Sequence, residues 1–230
     1  MNTRCIKVGL VILSLIFTLR SQAQFDAMNG KSISDFISIK NSEAFAKSSD
    51  IEGSPYATDS FKLGKVYTTK GVFNGVYLRY DLFNDWIEFL EKGKHLILSP
   101  EPSIVKVEID SITLYAQPFY KEGKLTMGFF KMLYDKNIIL LKHQSVKFNE
   151  KPPTKAVELI SVPASFSAEA DKFFIRFNHM EAKPILAIKK LVSMFPDHEK
   201  EIASFVKRKN IRLNQNDLMS LVTYYSKVTE

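Results

Sequence analysis

The stretch Val76–Phe89, VYLRYDLFNDWIEF, gathers the chain's single tryptophan, two tyrosines and two phenylalanines around one arginine and three carboxylates. Two kinds of chemistry use such a set. Paired acids at a fixed separation, drawn from Asp81, Asp85, Glu88, Glu108 and Asp110, could serve a hydrolase of glycan polymers as acid and base. An aromatic and arginine patch, Tyr77 and Arg79 with Trp86 nearby, suits an anionic or sugar-like ligand or a protein partner. Tyrosine, tryptophan and arginine are the residues over-represented at binding hot spots.

Written as a strand, the stretch separates into two faces. Val76, Leu78, Tyr80 and Leu82 point one way, and Tyr77, Arg79, Asp81 and Phe83 the other. Asn84–Asp85 makes a two-residue turn, since both residues tolerate positive φ. The return strand puts Trp86, Glu88 and Leu90 on one face and Ile87 and Phe89 on the other. The expectation is a hairpin with an apolar inner face and an exposed face held by its charges. Tyr77, Arg79 and Trp86 remain as the candidate binding residues on that outer face.

Other chemistries lack their residues. His95, His143, His179 and His198 lie in separate segments without an H-x-H or H-x-x-x-H pair, so each reads as a surface or strand-edge residue. No G-x-S-x-G elbow occurs, and Ser54 in GSPY precedes a proline in a turn, where shaping the backbone is the simpler role. Nine scattered glycines form no phosphate-cradling loop. The basic run KRKNIR, Lys207–Arg212, could meet anionic lipid or polysaccharide, but bases at a helix C-terminus are also what the dipole favours. The reading is a non-enzymatic protein with no catalytic residue, no metal and no cofactor.

The N-terminal residues indicate a compartment. MNTRCIK is short and basic, VGLVILSLIFTL is apolar and uncharged, and RSQAQ places Ser21 and Ala23 where a signal peptidase needs small side chains. The apolar core is about a dozen residues, too short for a spanning helix of roughly 20. Residues 1–23 therefore read as a secretory signal peptide cut between Ala23 and Gln24, and the product as periplasmic or secreted. The leader carries Arg4, Lys7 and Arg20 and no acid, so the remainder holds a net charge of +4 against +7 for the whole chain. That mild balance gives no argument for nucleic acid, and no later segment is apolar enough to span a membrane. Cys5 is the only cysteine. It precedes the apolar run, so it is not a lipidated cysteine, and the exported chain must be held by its core and not by disulfides.

The elements that position these residues fall into four parts. Residues 24–60 are a polar arm with a turn at Gly53–Pro55 and a short strand or helix around Phe36–Ala46. Residues 61–188 show period-two segments separated by turns: KVYTT, GVYLRYDLF, WIEFLE, HLILS, VKVEIDSITLYAQPF, LTMGFFKMLYD and IILLKHQSVKF. They predict an antiparallel, curved β-meander, an open sheet or incomplete barrel. Pro152, Pro153 and Pro163 punctuate a seam, after which Phe173–Phe177 and Pro184–Ile188 form one more hairpin. Residues 189–230 are helical: a short helix over Lys189–Phe195, then DHEKEIASFVKRK with Ile202, Phe205 and Val206 on one face. Asn214 caps the last helix with Asp217 three residues on, and Leu218, Leu221, Val222 and Tyr225 form its buried stripe. The fold class is α+β, a curved antiparallel sheet with a small C-terminal helical unit docked on it.

The order of these pieces resembles a group of exported hypothetical proteins of Bacteroidota. The likeness rests on a leader ending in QAQ, the GSPY and GKVYT segments, LRYDLFNDWIEF, GFFKMLYD leading into LLKHQSVKF, and the segment from LVSMFPDHEKEIASFVKRK to LVTYYSKV. It covers nearly the whole chain after the leader and consists of framework segments. It implies an envelope location and a β-sheet domain with a helical tail, and it carries over no functional residue. The function expected is a binding or assembly module contacting a protein, glycan or lipid of the envelope. A hydrolase using Asp81 and Glu88, or a lipid carrier with a sheet-lined cavity, stands as the alternative.

Overall fold

The computed structural model describes residues 32–33, 40–41, 51–151, 163–177, 180–195 and 198–229. The expected leader with its Ala23–Gln24 junction lies outside them, as do most of the arm, Pro152–Pro153 and His179.

Two short strands, β1 (Lys40–Asn41) and β2 (Ile51–Glu52), precede a run of hairpins. The run comprises β3 (Lys62–Thr68), β4 (Gly71–Asp81), β5 (Trp86–Glu91), β6 (Lys94–Leu98), β7 (Ile104–Ile109), β8 (Ile112–Lys121), β9 (Lys124–Asp135) and β10 (Ile138–His143). Two of its turns, Lys92–Gly93 and Glu122–Gly123, hold both residues at φ between +50° and +78°. That is the conformation a two-residue hairpin demands and the reason glycine ends each pair. The remaining strands are β11 (Val146–Asn149), β12 (Ala164–Ala168), β13 (Lys172–Phe177) and β14 (Lys183–Pro184).

The main sheet runs β1-β6-β5-β4-β3-β7-β8-β9-β10-β13-β14. Every pair in it is antiparallel, and it is a curled, open half-barrel, as the period-two pattern predicts. A second sheet, β11-β12-β2, contains a parallel pair, β12 with β2. Its middle strand, ASFSA, comes from the segment read as a proline-punctuated seam. Serine and alanine at alternate positions carry no strong strand signal, and the pairing with β11 decides the conformation.

Strand β8 changes neighbours along its length. Strand β7 pairs with β8 only over Ile112–Tyr115. Beyond it comes Pro118, which has no N–H to offer a neighbouring strand. Its carbonyl accepts the N–H of Ala182 at 3.2 Å, and Phe119 bridges Ala182 in parallel. On the other side β9 pairs with β8 through Lys124–Phe130 and with β10 through Lys131–Asp135. Strands β8, β9, β10, β13 and β14 therefore return on themselves as a small barrel within the larger curl. Three buried clusters follow. One, with Leu78, Phe89, Val107 and Phe129, fills the concave side of the first strands. A second, with Phe119, Phe130, Ile139, Leu141 and Phe174, fills the small barrel. The third lies between the far face of β10–β13 and the helices.

The helices are α1 (Ile188–Val192), α2 (Glu199–Lys209) and α3 (Gln215–Val228). Asn214 caps α3 by accepting the Asp217 N–H at 3.0 Å, and Ile202, Phe205, Leu218, Leu221 and Val222 are buried. The expected cap is present, and the expected stripes are buried except for Val206 and Tyr225, which are half-buried. The first helix is shorter than expected, ending at Val192 instead of Phe195.

Candidate functional site

The sheet carries two polar regions, the hairpin patch expected from the sequence and a second that only the fold assembles, and they differ in what covers them. In the β4–β5 hairpin the cross-strand partners are Asp81 with Trp86, Arg79 with Glu88 and Tyr77 with Leu90. The two faces divide as alternation requires. The connection is not the two-residue Asn84–Asp85 turn but the four residues Leu82–Asp85, with Asp85 at φ 57°. Asp81 lengthens it: one carboxylate oxygen accepts the N–H groups of Phe83 and Asn84, each at 2.9 Å, and the other accepts Asn84 Nδ2 at 2.9 Å. An aspartate satisfying its own turn in this way sets the loop's path.

The charged part of that outer face, Arg79, Glu88 and Asp81, is covered, contrary to the expected exposed charged face. Residues 55–57 pair antiparallel beside the end of β4, with Ala57 N–H donating to the Tyr80 carbonyl and Leu82 N–H to the Pro55 carbonyl, and this brings Tyr56, Asp59 and Phe61 onto Arg79. The Arg79 guanidinium lies over the Tyr56 ring at 3.5 Å and the Phe61 ring at 4.5 Å. It donates to the Asp59 carbonyl at 2.9 Å and pairs with the Glu88 carboxylate. Tyr56 Oη donates to the same carboxylate at 3.1 Å. Asp81 and Glu88 are 1% and 2% exposed. Burial pushes the Asp81 carboxyl above its ordinary value despite its three hydrogen bonds. Burial also raises the Tyr56 hydroxyl, with Glu88 adding to it.

The sequence-predicted residues therefore share a face but not a site. Arg79 is engaged on all the contacts above, Trp86 is half-buried, and Tyr77 stands 54% exposed near the strand's middle. Asp81 and Glu88, the acids of the hydrolase alternative, have their oxygens occupied. Glu108 accepts from Tyr67 Oη at 2.9 Å and pairs with Lys106 at 2.6 Å. Ser54 Oγ accepts the Tyr56 N–H at 3.1 Å, the backbone-shaping role expected of it.

The second region is the mouth of the small barrel, a cavity of about 500 Å³. Its walls are the ends of β8, β10, β13 and β14, the Leu82–Asp85 loop and the start of β11. The floor is aromatic. Phe119, Phe130 and Phe174 meet edge to face with centroids 5.0–5.4 Å apart, a favoured geometry for such rings. The His143 ring packs 5.2 Å from Phe130 and 6.1 Å from Phe119. Phe83, Tyr120 and Leu186 line the opening and are 41%, 43% and 67% exposed.

Asp85 fixes one wall of this cavity. Its carboxylate accepts the Tyr80 hydroxyl at 2.7 Å and the Phe129 N–H at 3.3 Å, at the point where β9 changes neighbours. His143 Nε2 lies 3.2 Å from Asp85 Oδ2, close enough for an ion pair but not aligned for a hydrogen bond. The loop reaches β9 only because residue 128 is glycine. A Cβ there would stand 2.9 Å from the Asp85 carboxylate and 2.7 Å from the Phe119 ring. Ser145 donates to Glu169 at 2.7 Å, and Lys172 pairs with Glu169 at 3.2 Å. Hydrogen bonding from Ser145 and then Lys172 holds the Glu169 carboxyl below its ordinary value.

Sequence reasoning named Asp85 only among the possible paired acids, placed none of the others in a site and took His143 for a surface or strand-edge residue. Its side chain is only 12% exposed. One signal pointed inward: IILL, Ile138–Leu141, is apolar without alternation, which marks a strand covered on both faces. Among the described residues no group of three or more His, Cys, Asp or Glu could hold a metal ion, and no helix is long and apolar enough to cross a membrane. No protein-family model, no curated protein and no solved structure matches the chain.

Proposed function

We propose that this chain is an exported, non-enzymatic binding module of the cell envelope that holds a small amphipathic molecule at the barrel mouth. The observation that carries the reading is the cavity of about 500 Å³ over an aromatic floor. Small-molecule sites are concave, of about 300–1,000 Å³, mostly apolar with a few placed polar groups, and the mouths of β-barrels are a common place for them. Phe83, Tyr120 and Leu186 supply exposed apolar surface at the opening. Asp85 and Glu169 supply polar groups held by their own partners, and His143 packs against the rings, so the walls are preformed. Export is supported by the basic, apolar and small-residue order of residues 1–23.

Native mass spectrometry of the protein taken from its host's envelope fraction tests both halves. The expected spectrum shows a mature chain beginning at Gln24 with a co-purifying mass of lipid or glycan size. Leu186→Asp at the opening should lose that mass. A retained leader would overturn the export reading. A bare chain, or a bound mass indifferent to Leu186→Asp, would overturn the assignment of the mouth.

A further inference from the structure

The mouth distinguishes the kinds of amphiphile it could hold, through which of its charges are already satisfied. The acids among its lining residues are Asp85, Glu122 and Glu169, and the bases Lys121, Lys147 and Lys172, with His143. Asp85 is engaged by Tyr80, the Phe129 N–H and His143. Glu169 is engaged by Ser145 and by Lys172, which is thereby used as well. Glu122 occupies the tip of the β8–β9 hairpin, where Lys121 and Lys124 are its cross-strand flanks. Among the described residues the side chains of Lys121 and Lys147 make no hydrogen bond or close ion pair, although Lys147 lies near enough to Glu169 to help lower its carboxyl. Glu122 likewise makes no side-chain hydrogen bond or ion pair, so the open groups are two cations and one acid at the hairpin tip, and the balance offered to a ligand's head is cationic.

The floor restricts the tail. Rings packed at 5.0–5.4 Å leave no slot between them for a further ring, so a guest must lie over their edges. A flexible alkyl chain conforms to such a surface. It would continue onto Phe83, Phe148 and Leu186, which also line the cavity.

We propose that the barrel mouth takes a single-chain anionic amphiphile, a fatty-acid-like carboxylate, with its tail over Phe119 and Phe174 and its head met by Lys121 and Lys147. This rests on the mouth being a ligand site. The test titrates the mature protein with dodecanoate, dodecanol and dodecylamine, each below its aggregation threshold, and repeats each titration on Lys121→Gln/Lys147→Gln and on Leu186→Asp. All three substitutions fall on exposed side chains, and circular dichroism checks that each variant remains folded. The expected result is that dodecanoate binds the wild type most tightly. The double lysine variant should weaken dodecanoate by roughly tenfold or more, the scale of a lost charge-assisted hydrogen bond, and leave dodecanol unchanged. Equal binding of the acid and the alcohol, or preference for the amine, would overturn the head-group assignment. If Leu186→Asp still weakened every compound, the ligand site itself would survive. Failure of all three compounds to bind would overturn the amphiphile and the ligand site together.

Discussion

The β4–β5 outer face and the barrel mouth are built from nearly the same inventory: aromatic rings, carboxylates and long cations on neighbouring strands. At the first, Tyr56, Asp59 and Phe61 cover the charges, and Arg79 meets two rings, a carboxylate and a carbonyl. The charged groups there are already partnered, and Tyr77 alone of the expected patch stands well exposed. At the second, Asp85 and Glu169 are satisfied by Tyr80, the β9 backbone and Ser145, while Lys121 and Lys147 line an open cavity. Composition is thus a poor guide to function in this sheet. What separates a structural ion cluster from a candidate site is whether another piece of the chain has already supplied the partners.

That contrast can be broken by substitution. The largest effect is expected at Glu88. Replacing it with alanine leaves Arg79 buried without its carboxylate, a change that typically costs about 3–5 kcal/mol. Lys121→Ala at the mouth should stay within about 0.5 kcal/mol of wild type, as surface substitutions do. Urea unfolding of both variants makes the comparison, and similar losses would mean that the two regions are not different in kind.

An intermediate effect is expected where the regions touch, at Gly128. Alanine there must displace the Asp85 carboxylate or the Phe119 ring, and overpacking of this sort costs about 1–3 kcal/mol. Because Asp85 precedes Trp86, the only tryptophan, the displaced loop should shift tryptophan emission. Unchanged emission together with wild-type stability would show that the loop is not seated on β9 as described.

The smallest effect is a pH dependence at Asp81. Its carboxyl is raised by burial above the ordinary 3.8, so the native state holds the proton where the unfolded chain releases it. Stability from this group is complete below the unfolded value and is lost as pH rises through the raised folded one. Asp81→Asn does not titrate, so wild type should lose stability relative to this variant over that window. A difference between the two that is flat with pH would place Asp81 in contact with solvent and weaken the picture of a closed hairpin face.

The hairpin's faces and partners were legible because they depend on neighbours a few residues apart. Alternation along Val76–Phe83 and Trp86–Leu90 put Arg79 opposite Glu88 and separated Leu78 and Phe89 from them. Asn214 with Asp217, and the stripe Leu218, Leu221 and Val222, are signals of the same short range. The loop length was misread because Asp81 satisfies two backbone N–H groups and a side-chain amide from within it, and a turn propensity for Asn-Asp does not register such a competitor.

By itself, then, the sequence determined an antiparallel meander with a helical end, the inward and outward sets of each strand, and the turns and caps that need particular residues. These follow from periodicity and backbone sterics, which act locally. Only the tertiary structure decided which outward faces stay open. Tyr56 reaches Glu88 across 32 positions and Asp85 reaches the Phe129 N–H across 44. The mouth draws Asp85, Phe119, His143 and Leu186 from four distant segments. Such contacts depend on the path of the whole sheet. Beyond the end of β7 the Pro118 carbonyl takes the Ala182 N–H, Gly128 leaves room for the Asp85 loop, and Tyr56, Asp59 and Phe61 cover one set of charges while the other region remains a cavity.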